Sequence, residues 1–457
     1  MAIESPARGR NRQQTTPTVG EAVGVARVRW QHLAPSVRPG RYYGLVAATG
    51  VSSIGDGIVG VTLPLLAAAF TRNALAVSGL LMAIRLPWLG ALPLGAVADR
   101  SDRRRMALGA TVAQGVLFLL TALAVAVGIR SLVMLYVVAL ATGILEVAFA
   151  AATAAVVPDL VPRDKLASAN GRLEAIRLSG DLLTGQAVGA VLFVALASLP
   201  FLLDGVSFLA AAAILFFVLP LHAHRARTGL ARTGAAPSAA PTTLREDVVA
   251  GAHYLWRHTG LRLMAATICG LAFFQAMVMG ILVVFALGPL HVGRSSYGLF
   301  LAVAAIGWAS GGFLAGRIDR RLGHARSLVL GAAAASAAYL VLAPAPSAVV
   351  AAGALFVEGF AVSLGNVASL SIRQERVPRE LLGRINSAFR MVTYGAVPLG
   401  ALAGGLVSEV WSLRGAVLTA GVLQTIVLLW VGRPLLAALA EEDIDLRDDE
   451  LVDVRVG

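Results

Sequence analysis

Apolar runs of about twenty residues recur along almost the whole chain, and that recurrence leaves few folds open. A helix rises about 1.5 Å per residue, so about twenty residues carry it across the roughly 30 Å hydrocarbon core of a bilayer. Runs of that kind fall at about 42–70, 75–98, 105–128, 131–157, 169–197, 199–220, 262–290, 296–318, 325–343, 348–372, 384–410 and 413–437. The chain is 57% hydrophobic and only 14% charged, with a mean hydropathy of +0.77. A water-soluble domain cannot bury that much apolar surface. The sequence predicts an all-α integral membrane protein with twelve transmembrane helices.

The net charge of +12 raises nucleic acid as a partner, but its distribution argues for a lipid bilayer instead. Arginines gather in alternate loops: Arg100, Arg103, Arg104 and Arg105 after the second run, and Arg163, Lys165 and Arg172 after the fourth. Arg225, Arg227, Arg232 and Arg245 follow the sixth, Arg317, Arg320, Arg321 and Arg326 the eighth, and Arg373, Arg376, Arg379 and Arg384 the tenth. The intervening loops hold little more than Arg72, Arg130, Arg294 and Arg414. Positive loops stay on the cytoplasmic side, which places both termini in the cytoplasm of a bacterial inner-membrane protein. The first 40 residues have no continuous apolar stretch, so no cleaved signal peptide is expected. The single cysteine, Cys269, excludes a disulfide framework.

The chain divides into a polar tail at 1–41, a first six-helix half at 42–220, a linker at 221–261, a second half at 262–437 and an acidic tail at 438–457. Thr243 and Glu246 stand at capping-box spacing. Leu244, Val248, Ala252, Leu255 and Trp256 share one helical face, so an amphipathic surface helix is expected in the linker. The two halves repeat. VPRDKLASAN from Val161 matches VPRELLGRIN from Val377, and GAVADRSDRRR from Gly95 matches GFLAGRIDRRL from Gly312. Halves with an even number of spans form a parallel repeat, and substrate then belongs near the midplane between them.

The block after the second run resembles the loop signature G-x-x-x-D-R-x-G-R-R-x of the major facilitator superfamily. Here it reads Gly95, Asp99, Arg100, Arg103 and Arg104, with Asp102 where the family has a second glycine. The second copy keeps Gly312, Arg317, Arg320 and Arg321 around Asp319, with Gly316 at the aspartate position. SSIGDG from Ser52, the RLP stretch from Arg85 and IRQERVPRELLGRINSAFR from Ile372 resemble the drug:proton antiporters that include macrolide-efflux proteins and the enterobactin exporter. The helix-four arginine of those antiporters has no counterpart in span four. Their helix-five Gly-Pro pair is Gly185-Gln186 here. The resemblance implies two pseudo-symmetric six-helix bundles, no cofactor, and proton-coupled efflux of a small amphipathic compound by a monomer. Import or facilitated passage of a small metabolite or lipid is the alternative on the same fold, and a structural or receptor role is a third.

Charges inside a membrane are costly and mark candidate functional sites. Asp56 near the middle of span one, Arg85 in span two, Glu146 in span four and Glu358 in span ten are the candidates for proton coupling. Depth counting puts Asp56 and Arg85 within about one turn of each other, as a coupling pair or as a static ion pair. Arg177 and Asp181, one turn apart, are expected to pair locally. Asp99 is expected to latch a gate against the amino end of a facing helix, with Arg390 on span eleven as a partner. Gln186, Asn366 and Gln275 are weaker candidates for a substrate cavity. A primary pump is excluded, because the one lysine, Lys165, precedes Leu166, where Walker A requires Ser or Thr. The sequence holds no G-x-S-x-G, no H-E-x-x-H and no clustered metal ligands, which argues against a membrane enzyme.

Overall fold

The computed structural model describes residues 39–90, 102–154, 157–161, 166–218, 253–378 and 381–456. Its first half contains α1 (Pro39–Phe70), α2 (Ala74–Arg85), α3 (Arg103–Ala126), α4 (Leu132–Ala154), α5 (Leu166–Leu178), α6 (Gln186–Ala195) and α7 (Leu199–Val218). The second half contains α8 (Thr259–Leu287), α9 (Tyr297–Leu322), α10 (His324–Leu342), α11 (Ala348–Arg376), α12 (Leu382–Val410) and α13 (Leu413–Val456). Among the described residues eleven helices are long and apolar enough to cross a membrane. The second predicted span is the short exception. After Arg85 it tightens into a 3₁₀ stretch at Leu86–Gly90, where Pro87 removes a backbone donor.

Two expected boundaries differ. The fifth span is interrupted: a π-helical stretch at Ser179–Gly185 joins α5 to α6. The last helix does not end near 437 but continues to Val456. Of the expected surface helix in the linker, only 253–257 is described, and it is helical. The rest, with the tail at 1–38, lies outside the described residues.

The repeat appears in the packing. In the first half α1 packs on α7 and the fifth span, α3 on α4 and α7, and α2 on α4. In the second half α8 packs on α12 and α13, α10 on α11 and α13, and α9 on α11. Span for span these are the same pairs, shifted by six. Small residues set the closest approaches, as expected where lipid removes the hydrophobic drive between helices. A methyl group on Gly57 would overlap the Asp181 carbonyl, and one on Gly185 would stand 2.6 Å from the Gly57 Cα. The interrupted fifth span therefore lies backbone against backbone on α1.

The halves meet through α2 with α8 and α12, and through α6 with α9. Most of these contacts lie away from the arginine-rich loops. Leu75 and Ser78 at the start of α2 face Gly405 on α12 and Gly280 on α8, and the Gln186 carbonyl of α6 faces Gly298 of α9. Nearer the arginine-rich end the Trp88 and Tyr394 rings meet edge to face at 5.0 Å. Among the described residues α5 makes no comparable packing against the second half, so the packing between the fifth span and α9 does not extend toward the arginine-rich end.

Candidate functional site

The charged centre of the first half is built where α2 and α4 come closest. A methyl on Gly143 of α4 would overlap the Ile84 carbonyl of α2, and that approach brings Glu146 opposite Arg85. Arg85 Nη1 and Glu146 Oε2 are 3.5 Å apart, with both side chains half-buried. Arg85 thus takes Glu146 as its carboxylate, not Asp56. Equal depth places two residues in one layer but does not fix the direction each faces around its helix. The expected Arg177–Asp181 pair is also replaced. Arg177 makes two bonds to Glu174, Nε to Oε2 at 3.0 Å and Nη2 to Oε1 at 2.7 Å. Asp181 falls in the π stretch, whose wider turn swings it out of the register of an ordinary helix.

Asp56, half-buried on α1, has Asp204, Glu146, Asp181 and Arg177 as its charged neighbours. Asp181 in turn senses Arg177, Arg85, Glu146 and Glu174. Five carboxyls from four spans (Asp56, Glu146, Glu174, Asp181 and Asp204) therefore share three guanidiniums, Arg85, Arg177 and Arg390. So acidic a group inside an apolar bundle is stable only with bound protons or a bound cation. Asp204 is the member the sequence reading passed over. It is 0% exposed, although as a lone acid in the run 199–220 it met the rule that marked Asp56. Among the described residues no group of three or more His, Cys, Asp or Glu is placed to hold a metal ion.

The second half treats its acid differently. Glu358 on α11 is 2% exposed and its Oε1 accepts from Gln275 Nε2 of α8 and Tyr339 OH of α10, each at 2.9 Å. Gln275, a candidate for the cavity, is thus engaged in holding this carboxyl. Asn366 is exposed on α11, and Gln186 is half-buried at the start of α6.

The loop motif is only partly described. Gly95, Asp99 and Arg100 lie outside the described residues, as does the Arg103 side chain, so the latch between Asp99 and Arg390 is not on view. Asp102 caps α3 by accepting from the Arg104 and Arg105 amides. Arg104 donates to the Phe216 carbonyl at 2.6 Å and lies over that ring. In the second copy Arg317 lies over Phe313, Gly312 faces Ser363, and Arg320 and Arg321 are exposed. Arg390 is exposed and lies over Tyr394, the partner of Trp88. Asp319 makes a contact the sequence did not announce. His324 Nδ1 is 3.0 Å from Asp319 Oδ2 and its Nε2 is 3.0 Å from Glu375 Oε1, tying α9 to α11 through the first residue of α10.

Two like-built helical bundles meeting along a shared interface, with ionisable side chains held deep in the apolar layer, define a membrane transporter of the secondary type. The chain belongs to the Major Facilitator Superfamily, whose model matches residues 45–401. Among curated proteins none matches its sequence. Solved structures agree on the fold. The nucleoside transporter NupG superposes with a TM-score of 0.67 at 12% identity, covering 86% of this chain and 98% of that one. A bacterial homologue of the iron transporter ferroportin, inward-facing, gives 0.63 at 17% identity over 86% and 98%. A bacterial homologue of the lysosomal transporter Spinster, inward-facing and occupied, gives 0.60 at 16% identity over 91% and 98%.

Proposed function

We propose that the chain is a proton-coupled exporter of a small amphipathic compound, working by alternating access as a monomer in a bacterial inner membrane with both termini cytoplasmic. The observation that carries the reading is the Arg85–Glu146 pair at 3.5 Å, set among carboxyls that outnumber their cationic partners. A carboxylate that serves both a proton and a cationic group cannot hold the two together. When a proton binds Glu146 Oε2, the charge-assisted contact to Arg85 weakens and the guanidinium is free to engage Asp56 or Asp181. When substrate with a cationic group enters, it displaces the proton. Mutual exclusion at one site, joined to rocking of the halves, exchanges substrate for protons. Asp56 and Glu146 are the proposed coupling acids, Arg85 their counter-ion, and Glu358 a third, more enclosed candidate. Asp99 with its arginines and Arg390 is the proposed gate on the cytoplasmic side. The resemblance to drug:proton antiporters supports the direction of transport.

The test is driven transport in proteoliposomes under an imposed pH gradient, with cationic dyes and macrolides as probes. Glu146→Gln is expected to lose gradient-driven movement while keeping expression and substrate exchange without a gradient. Undiminished driven movement in that variant removes Glu146 from the mechanism. An unchanged dye and antibiotic sensitivity in a host lacking its own pumps, with uptake of one nutrient, turns the reading to import.

A further inference from the structure

Asp204 is the one acid of the charged centre that solvent does not reach. It is 0% exposed, on the seam between α1 and α7. Ser207 Oγ donates to its Oδ1 at 3.2 Å and to its carbonyl at 2.8 Å, while Oδ2 is buried with no partner among the described residues. The seam is tight there, since a methyl on Gly55 would overlap the carboxyl. Asp56 is the next residue of α1, and Asp204 is among its charged neighbours.

The remaining elements packed on α7 offer no counter-ion. The charges of α3 are arginines at its far end, where Arg104 reaches Phe216. α6 carries no charged residue. An ionised Asp204 would therefore be a buried charge with one neutral donor, a state that burial strongly disfavours.

From this geometry we propose that Asp204 is a second proton-binding site, which carries a proton at Oδ2 and exchanges it with Asp56. In the exchange the O–H bond at Asp204 breaks as one forms at Asp56, and one negative charge moves from α1 to α7. No oxidant or other reactant takes part. The inference rests on the reading that Asp56 belongs to the coupling site.

The test is difference infrared spectroscopy on the purified full-length protein. Wild type is expected to show a protonated-carboxyl band near neutral pH that Asp204→Asn removes and Ser207→Ala shifts. In proteoliposomes Asp204→Asn is expected to release fewer protons per substrate bound than wild type, because one of the exchanging sites is gone. A band unaltered in Asp204→Asn, or one lost on adding sodium at constant pH, overturns the proposal. If Asp204→Asn does not fold, Ser207→Ala decides, and an unshifted band overturns it. Asp56→Asn separates the two levels. Unchanged driven transport there defeats the coupling reading itself. Lost transport there, with a full proton count in Asp204→Asn, defeats only the role of Asp204.

Discussion

Glu146 and Glu358 hold related places in the repeat, yet their surroundings divide their work. Glu146 keeps part of its side chain open and faces a cation; Glu358 is enclosed and faces two neutral donors. The enclosed carboxyl joins α8, α10 and α11 at one atom, so its removal is expected to loosen the second half before it changes coupling. Tyr339→Phe takes away one of the two donors to Glu358 Oε1, and a lost bond of this kind costs about 1 kcal/mol. The expected outcome is a lower thermal unfolding midpoint with driven transport retained; lost transport at unchanged stability would show that this bond serves coupling through Glu358 and not packing alone. Sequence made these acids legible because charge inside an apolar run is rare. It could not give their partners. Asp56 and Arg85 do share a layer, but the Gly143–Ile84 approach between α2 and α4 decides which carboxylate Arg85 meets, and that contact joins residues 59 positions apart.

At the scale of elements, the apolar runs made the eleven membrane-length helices among the described residues readable. The break in the fifth span was not. SGDLLTG is poor in helix formers, but composition does not tell a π turn from any other irregularity, and the close approach of α1 lies along this stretch. Gly57→Val is therefore expected to be among the most damaging substitutions in the first half. The added carbons meet the Asp181 backbone, which no side-chain rotation relieves, and overpacking of this kind costs about 1–3 kcal/mol or more. Thermal unfolding of the purified variant checks it, and a midpoint equal to wild type would show that the seam yields. His324 offers a second case. Its two ring nitrogens each face a carboxylate at 3.0 Å, and only a doubly protonated ring donates to both. His324→Ala leaves the buried Asp319 without its donor, at a cost of about 1–3 kcal/mol. His324→Gln, which still donates, is expected to recover part of that loss in the same measurement.

For the whole molecule, the contacts between halves describe a door shut at one end. Leu75 and Ser78 lie on Gly405 and Gly280, and Gln186 lies on Gly298; toward the arginine-rich end α5 makes no comparable packing against the second half among the described residues. Conversion to the opposite state requires these small-residue contacts to part together. A large side chain at one of them acts on the closed state alone, since in the open state the same position faces space. Gly405→Leu is thus expected to destabilise this arrangement relative to its counterpart. A bias of about 1.4 kcal/mol changes the ratio of the two states tenfold, and overpacking supplies about that much or more. Paired spin labels on the loop before α2 (residues 71–73) and the loop after α12 (residues 411–412) would report it as a longer distance population that grows in the variant. Labels on residues 322–324 and 168–171, at the arginine-rich end, should shorten in step if the halves move as rigid bodies. Lengthening at one end without shortening at the other would mean that the bundle deforms locally, and alternating access by rocking would then be the wrong description of this chain.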